Sequence, residues 1–173
     1  MKVIWLLIYY LFGIHLPSSS YSRIGVRIRA YLVSKIFSDV GVNVNVAQGV
    51  YFGRGSLISI GNNSGIGEKS RFVAMGKITV GNDVMIAPEV LILTGGHDYS
   101  DPKLLLREQV STTAPVHIGN DCWIGARAII LPGVSITDRV IVGAGSVVTK
   151  SISESGIYAG NPAKKIKELD SGS

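Results

Sequence analysis

The chain has 173 residues, of which 46% are apolar and 17% charged, and its net charge is +5. This size fits one domain, and the excess of apolar over charged residues excludes intrinsic disorder. One cysteine excludes an internal disulfide, and three histidines with it argue against a structural zinc cluster. The aromatic residues are not interleaved with Lys and Arg as in a base-stacking surface, which argues against a nucleic-acid partner.

Residues 1–40 are predicted to be a helical segment that caps the rest of the chain. Met1–Ile14 is apolar after Lys2, and Pro17–Ser20 interrupts it. A basic amphipathic helix is predicted from Arg23 to Phe37. Its apolar face is assigned to residues spaced four apart: Ile24, Ile28, Leu32 and Ile36. The segment is open to three interpretations: a signal peptide, a helical cap over the first coil, or an interfacial anchor that touches anionic lipid. The cap is favoured, and peripheral membrane contact is compatible with it.

Residues 41–155 repeat with a period of six. A unit of six residues is too short for a helix with its own apolar face, but it suits a short strand and a bend, and three units close an 18-residue coil. Sandwich strands recur at about 8–12 residues and do not fit this period. The sequence therefore predicts an all-β solenoid, a parallel β-helix whose aliphatic residues point inward and stack on their equivalents one coil along. The repeated aliphatic positions include Ile60, Ile66, Phe72, Val80, Ile86, Ile92, Ile118, Ile124, Ile130, Ile136, Val142 and Val148.

Two departures from the repeat define the remaining organisation. The spacing from Val80 to Ile118 is 38 residues, which is one coil plus a 20-residue insertion, and a loop is predicted at about residues 98–117. Residues 156–173 are predicted to form a turn at Gly160–Ala163 and then a short basic helix over Lys164–Leu169, because Pro162 suits a helix start. That helix would cover the last coil.

The repeat region resembles the hexapeptide-repeat acyltransferases, and within them the sugar O-acetyltransferases such as maltose, galactoside, capsule and O-antigen acetyltransferases. The resemblance implies a left-handed β-helix, a homotrimer, and acetyl-CoA as co-substrate with no metal. It rests on five motifs: Leu93–His97, Ile118–Ala126, Leu131–Val134, Val142–Lys150 and Gly160–Lys164.

The same resemblance assigns roles to individual residues. His97 matches the catalytic histidine, which lies between two subunits and takes the proton of the acceptor hydroxyl. Ala126 matches the oxyanion donor, where galactoside-type enzymes carry serine, so only its backbone N–H is available. Trp123 matches the tryptophan beside the acyl tunnel. The positions that match cofactor contacts are Gly125, Ala144, Gly145, Thr149, Lys150, Lys164 and Lys167.

The expected function is acetyl transfer from acetyl-CoA to a hydroxyl of a sugar or lipid-linked saccharide, in surface polysaccharide synthesis, in the cytoplasm or at the inner face of the membrane. Residues 70–74 lack the acceptor-contacting asparagine of the galactoside branch, which predicts a different sugar. Cys122 is interpreted as a packing residue, so no acyl-enzyme is expected. The alternatives are N-acetylation of an amino sugar, acetylation of an antibiotic, a non-catalytic scaffold and a γ-type carbonic anhydrase.

Overall fold

A computed structural model describes residues 2–17 and 23–169 of the chain. Along these residues the first elements are the α-helices α1 (Lys2–Leu11) and α2 (Arg23–Ile36), with a 3₁₀ turn at Gly13–His15 between them. The predicted interruption at Ser18–Ser20 and the tail beyond residue 169 lie outside the described residues. No described helix is long and apolar enough to cross a membrane.

Short strands make up the rest of the described chain. In order they are β1 (Asp39–Val40), β2 (Asn45–Val46), β3 (Ile58–Ile60), β4 (Gly65–Ile66), β5 (Arg71–Val73), β6 (Ile78–Val80), β7 (Met85–Ile86), β8 (Leu91–Leu93), β9 (Gly95–His97), β10 (Ser111–Thr113), β11 (Val116–Ile118), β12 (Trp123–Ile124), β13 (Ile129–Ile130), β14 (Ser135–Ile136), β15 (Val140–Val142), β16 (Val147–Val148), β17 (Gly156–Ala159) and β18 (Lys164–Lys167).

The coils stack their strands into three sheets, one on each side of a triangular prism. The first sheet has the order β1-β3-β6-β11-β14, the second β18-β17-β15-β12-β7-β4-β2, and the third β16-β13-β8-β5. Within the stack the pairing is parallel, and Val80 pairs with both Ile60 and Ile118. The predicted parallel solenoid is confirmed, with about six turns.

The interior of the prism is a column of stacked aliphatic side chains. Ile66 pairs with Ile86, Ile86 with Ile124, and Ile124 with Val142, and each is at most 5% exposed. Burying each such side chain stabilises the fold by about 1.5–3 kcal/mol. The prediction that the aliphatic residues point inward is therefore confirmed.

The two helices pack over the first coil. The Tyr9 hydroxyl donates a hydrogen bond to the Val50 carbonyl (2.8 Å), and Arg29 Nε donates one to the Val46 carbonyl (2.7 Å). Both donors are buried, so these bonds fix the helices on the end of the prism. The helical segment thus covers the first coil, although the first strand already begins at Asp39.

The predicted apolar face of α2 is wrong in its first half. Ile24 is 69% exposed and Ile28 41% exposed. Residues spaced four apart advance about 40° past a full turn at each step, so a row of four drifts off the packed face. The face that packs is instead formed by Gly25, Arg29, Leu32, Val33 and Ile36.

The predicted C-terminal helix is also wrong. Lys164–Lys167 is strand β18, which pairs antiparallel with β17 and extends the second sheet. Gly160, at φ +103°, turns the chain back, and β17 supplies an open edge of backbone groups. Pairing with that edge satisfies backbone groups that a helix would have left unpaired.

The insertion begins and ends earlier than predicted. The chain leaves the coil into a hairpin in which β9 pairs antiparallel with β10. It rejoins the stack at β11, where His117 pairs with Thr79 and Ser135 in the first sheet. The predicted range of 98–117 is therefore wrong at both ends, since the insertion starts and finishes at lower residue numbers. The repeat spacing shows the length of the insertion but not the residues at which it leaves and rejoins the coil.

Candidate active site

His97 ends the first strand of the hairpin. Its cross-strand neighbour is Ser111, and its side chain is exposed. The base of the hairpin is fixed by Thr94, which is fully buried and whose hydroxyl accepts from Gly76 N (2.8 Å) and donates to the Val73 carbonyl (3.0 Å). The imidazole thus projects from a rigid base into solvent.

A cavity beside His97 is lined by Asp98, Tyr99, Leu106 and Arg107. The Asp98 carboxylate accepts hydrogen bonds from the Ser100 amide (2.9 Å) and hydroxyl (3.0 Å), which lower the pKa of Asp98. This carboxylate is engaged locally, and within the described residues the His97 imidazole has no hydrogen-bonded side-chain partner. The group that would orient the imidazole is therefore not found among the described residues of this chain.

The far end of the insertion is held by Gln109. Its side-chain oxygen accepts from the Asp101 amide (3.2 Å), and its nitrogen donates to the Asp101 carbonyl (3.1 Å). Gln109 is buried, yet the insertion exposes large apolar side chains around it. These are Tyr99, Leu104, Leu105, Leu106 and Val110. Such a surface suits contact with another chain.

Ala126 lies at the corner between the second and third sheets, which we call corner II. Residues 125–128 form a tight turn in which Ala128 N donates to the Gly125 carbonyl (3.2 Å) and Arg127 has φ +60°. The Ala126 carbonyl accepts from Gly145 N (2.8 Å), but its own N–H donates no hydrogen bond to any described residue. Ala126 is half-buried, and its N–H is a backbone donor without an acceptor in the described part of the chain.

The next coil places Ala144 and Gly145 directly below Ala126 at corner II. A Cβ on Gly125 would lie 2.5 Å from Ala144 N, so the stacked backbones leave no room for a side chain there. Gly145, at φ +70°, has no atom within 4 Å of where a Cβ would be, and it faces open space. The corner is a narrow ridge along which a slender ligand can lie.

Trp123 stands on the outer face of the second sheet. It is 48% exposed and pairs with Met85 and Ile141 in the neighbouring coils. The adjacent Cys122 is buried, and its thiol donates to the Thr137 carbonyl (3.2 Å). Burial raises the pKa of Cys122, which keeps the thiol protonated and fits its interpretation as a packing residue.

The remaining predicted contacts lie toward the last coil. Thr149 and Lys150 follow β16 and are exposed. Lys164 and Lys167 are exposed on β18, on either side of Lys165, which forms ion pairs with Glu154 (3.0 Å) and Glu168 (2.7 Å).

One chain does not bring all of these residues together. The hairpin that carries His97 leaves the corner between the third and first sheets, whereas Trp123 lies on the second sheet, across the prism. His97 and Trp123 line different cavities. Sequence reasoning also missed the anchoring roles of Thr94 and Gln109. A threonine directly after strand β8 was a signal for the first, and no feature of the sequence signalled the second.

Comparison with known proteins decides the family. Galactoside O-acetyltransferase of Escherichia coli K12 is 37% identical over 142 residues, which cover 82% of this chain and 69% of that protein. The chain belongs to the hexapeptide-repeat acetyltransferases. The family description "Hexapeptide repeat of succinyl-transferase" matches residues 115–150 of this acetyltransferase. A putative colanic acid biosynthesis acetyltransferase, WcaF, of the same organism is 30% identical and covers 82% of this chain and 75% of its own length.

A solved structure extends the similarity to nearly the whole acetyltransferase. A galactoside acetyltransferase in complex with coenzyme A aligns with a TM-score of 0.82 and 34% identity, covering 98% of this chain and 80% of that one. The structural neighbours are left-handed β-helices, which confirms the hand that the resemblance implied. In the described residues of this acetyltransferase no three His, Cys, Asp or Glu side chains converge as metal ligands.

Proposed function

We propose that this acetyltransferase moves an acetyl group from acetyl-CoA to a hydroxyl of a sugar or lipid-linked saccharide during surface polysaccharide synthesis. The observation that carries the proposal is the exposed His97 imidazole, held on a hairpin with a fixed base and beside a cavity. The sugar acceptor is supported by the galactoside relative, and the polysaccharide setting by the colanic acid relative. Because cells supply acetyl-CoA in the cytoplasm, the reaction is assigned to the cytoplasm.

The chemistry follows from the two groups that the chain supplies. The His97 imidazole takes the proton of the acceptor hydroxyl as its oxygen attacks the thioester carbonyl. The Ala126 N–H donates to the oxyanion that forms. The C–S bond then breaks, and the proton passes from the imidazolium to the departing CoA thiolate. The products are the acetyl ester and free CoA.

The site is proposed to form between protomers of a homotrimer. On one chain the hairpin with His97 and corner II lie at different corners of the prism. The proposed complete site therefore joins His97 of one protomer to corner II of the next. The exposed apolar side chains of the insertion would be covered by that contact.

Acetyl-CoA is proposed to lie along corner II of the neighbouring protomer. The narrow ridge at Gly125, Ala144 and Gly145 suits the pantetheine arm. Thr149 and Lys150 would meet the nucleotide end. Lys164 and Lys167 would contact the phosphates as point charges.

The test is thiol release from acetyl-CoA by the purified protein with a panel of sugars and lipid-linked glycans. His97→Ala should lower the rate by about 10²–10⁴, the contribution typical of a general base. His117→Ala is the matched control, since His117 is exposed on β11 and lines a different cavity. An unchanged rate for His97→Ala, or equal losses in the two variants, would refute the assignment.

Mixed assemblies test the shared site. Co-expression of His97→Ala and Ala126→Pro chains, each strongly impaired alone, should restore about a quarter of wild-type activity, because one interface in four then joins two intact halves. Activity no higher than that of the separate variants would place the whole site on one chain.

A further inference from the structure

The net charge of the chain is confined to its helical cap. Five of the 17 basic residues and none of the 12 acidic residues precede Asp39, so the remaining chain carries 12 of each and is neutral. One of the five, Arg29, is buried against the first coil. Lys2, Arg23, Arg27 and Lys35 are exposed and give the end of the molecule a positive surface.

Helix α1 presents an uncharged apolar face to solvent on the side opposite the coil. Tyr9 is buried against the coil, whereas residues one turn apart on the opposite face are exposed. Leu7 is 55% exposed and Leu11 64% exposed. The exposed face consists of Val3, Ile4, Leu7, Ile8 and Leu11, with Phe12 directly after it.

Helix α2 continues this surface with apolar and basic residues together. Trp5 of α1 meets Tyr31 of α2 edge-on at 5.8 Å, so the two helices share one outer layer. Lys35 lies over the Tyr31 ring at 5.3 Å. The exposed side of α2 alternates apolar Ile24, Ile28 and Tyr31 with basic Arg27 and Lys35.

An apolar groove connects α1 with the coil beneath it. Its lining combines apolar Val3 and Leu6 with the basic side chains of Lys2 and Arg54. The Lys2 ammonium also donates to the Ile36 and Phe37 carbonyls (3.3 and 3.1 Å), which holds it at the edge of the surface.

We propose that the outer layer of α1 and α2 docks on an anionic phospholipid membrane, with α1 lying in the plane of the interface. Ten residues of helix span about 15 Å and cannot cross a hydrocarbon core of about 30 Å. An uncharged apolar stripe flanked by exposed cations, with no carboxylate before Asp39, is the pattern of an interfacial helix attracted to anionic lipid. This inference is independent of the proposed reaction.

Vesicle flotation with the full chain tests the proposal. Wild-type protein should bind vesicles of mixed phosphatidylcholine and phosphatidylglycerol more tightly than phosphatidylcholine alone, and added salt should weaken that binding. The double variant Leu7→Glu, Leu11→Glu should lower the affinity by at least about tenfold for each leucine. Arg27→Gln with Lys35→Gln should lower it by about fivefold for each charge, on the anionic vesicles only.

Ile166→Glu is the matched control, since Ile166 is 65% exposed on β18, at the end of the prism opposite the helices, and it should float like wild type. The Leu7 and Leu11 positions are exposed, so the double variant should keep its melting temperature and its acetyl transfer to a soluble sugar. The proposal is overturned if wild-type protein does not float with anionic vesicles, or if the double variant floats equally well. It is also overturned if light scattering shows that the double variant breaks up a larger assembly while no vesicles are bound, which would make the face a protein contact.

Discussion

Two corners of the prism contain the same turn but differ in whether the N–H of its second residue has a hydrogen-bond acceptor. At the corner between the first and second sheets, corner I, side chains satisfy the turn's outward amide. Asn62 N donates to Asn82 Oδ1 (2.8 Å), Asn82 N to Asn120 Oδ1 (2.8 Å), and Asn120 N to Asp138 Oδ1 (2.7 Å). At corner II the equivalent Ala126 N–H has no acceptor among the described residues.

This difference in hydrogen bonding assigns corner I to the stability of the fold and corner II to ligand binding. Both corners place a non-glycine residue in the left-handed region, Asp121 at corner I and Arg127 at corner II, so the backbone geometry is shared. The two corners differ in their side-chain acceptors, which at corner I are Asn82, Asn120 and Asp138. A corner closed by its own side chains adds hydrogen bonds to the fold, whereas an open one leaves a donor for a ligand.

The largest expected effect is at corner II. Ala126→Pro removes the N–H, and proline suits the second position of a turn whose third residue has positive φ. Pro88 already occupies the equivalent position one coil earlier. The fold should therefore be retained, with the free energy of unfolding unchanged or higher by about 0.4–1 kcal/mol. The rate of acetyl transfer should fall by about 10²–10³, as when an oxyanion donor is lost.

Glu68→Pro is the control for that substitution, since Glu68 holds the same corner position another coil away and is not part of the proposed site. Thiol-release kinetics should show its activity unchanged. If Ala126→Pro kept full activity, the Ala126 N–H would have no role in the reaction, and the two corners would not differ in function.

A smaller effect, on stability alone, is expected at corner I. Asn82→Ala deprives the Asn62 amide of its acceptor, which should lower the free energy of unfolding by about 0.5–1.5 kcal/mol. Chemical denaturation measures this loss, and thiol release should be unchanged. Asn82→Asp keeps an acceptor oxygen and should recover most of the stability. A large loss of activity in Asn82→Ala, with the free energy of unfolding unchanged, would contradict the assignment of corner I to stability alone.

The smallest effect is expected for Cys122→Ser, at the end of the corner I turn. Ser64 occupies the equivalent position two coils earlier, and its hydroxyl donates to the Gly81 carbonyl (2.8 Å) as the thiol does to Thr137. Because burial raises the pKa of the Cys122 thiol above its ordinary value of 9.0, the thiol stays protonated at neutral pH. Activity at pH 7 should stay within about twofold, since no thiolate takes part. Complete loss would require an acyl-enzyme.

Much of the solenoid could be predicted because its aliphatic positions recur every six residues along the chain, and this spacing is visible without knowledge of tertiary contacts. A side chain at a position such as Ile124 must point inward when its equivalents recur every six residues. The asparagine ladder was not predicted, although Gly-Asn recurs at residues 61, 81 and 119. Its members are 18 to 38 residues apart and become neighbours only when the coils close.

The candidate site was predictable only in its separate residues. The motif around His97 predicted a candidate base just before an insertion, and the structure places His97 on the first strand of the hairpin itself, with its side chain exposed. Neither the hairpin base at Thr94 nor the position of Trp123 across the prism could be inferred, because both depend on which corner the insertion leaves.

The sequence by itself determined the coil period, the inward aliphatic column and the confinement of the net positive charge to the first 38 residues, since each is a property of residue order alone. Tertiary structure decided that β18 is a strand, which side of α2 packs, and which corner amides stay open. Those outcomes depend on partners distant in sequence: a free edge at β17, the end of the first coil beneath Arg29, and the side chain one coil away from each turn.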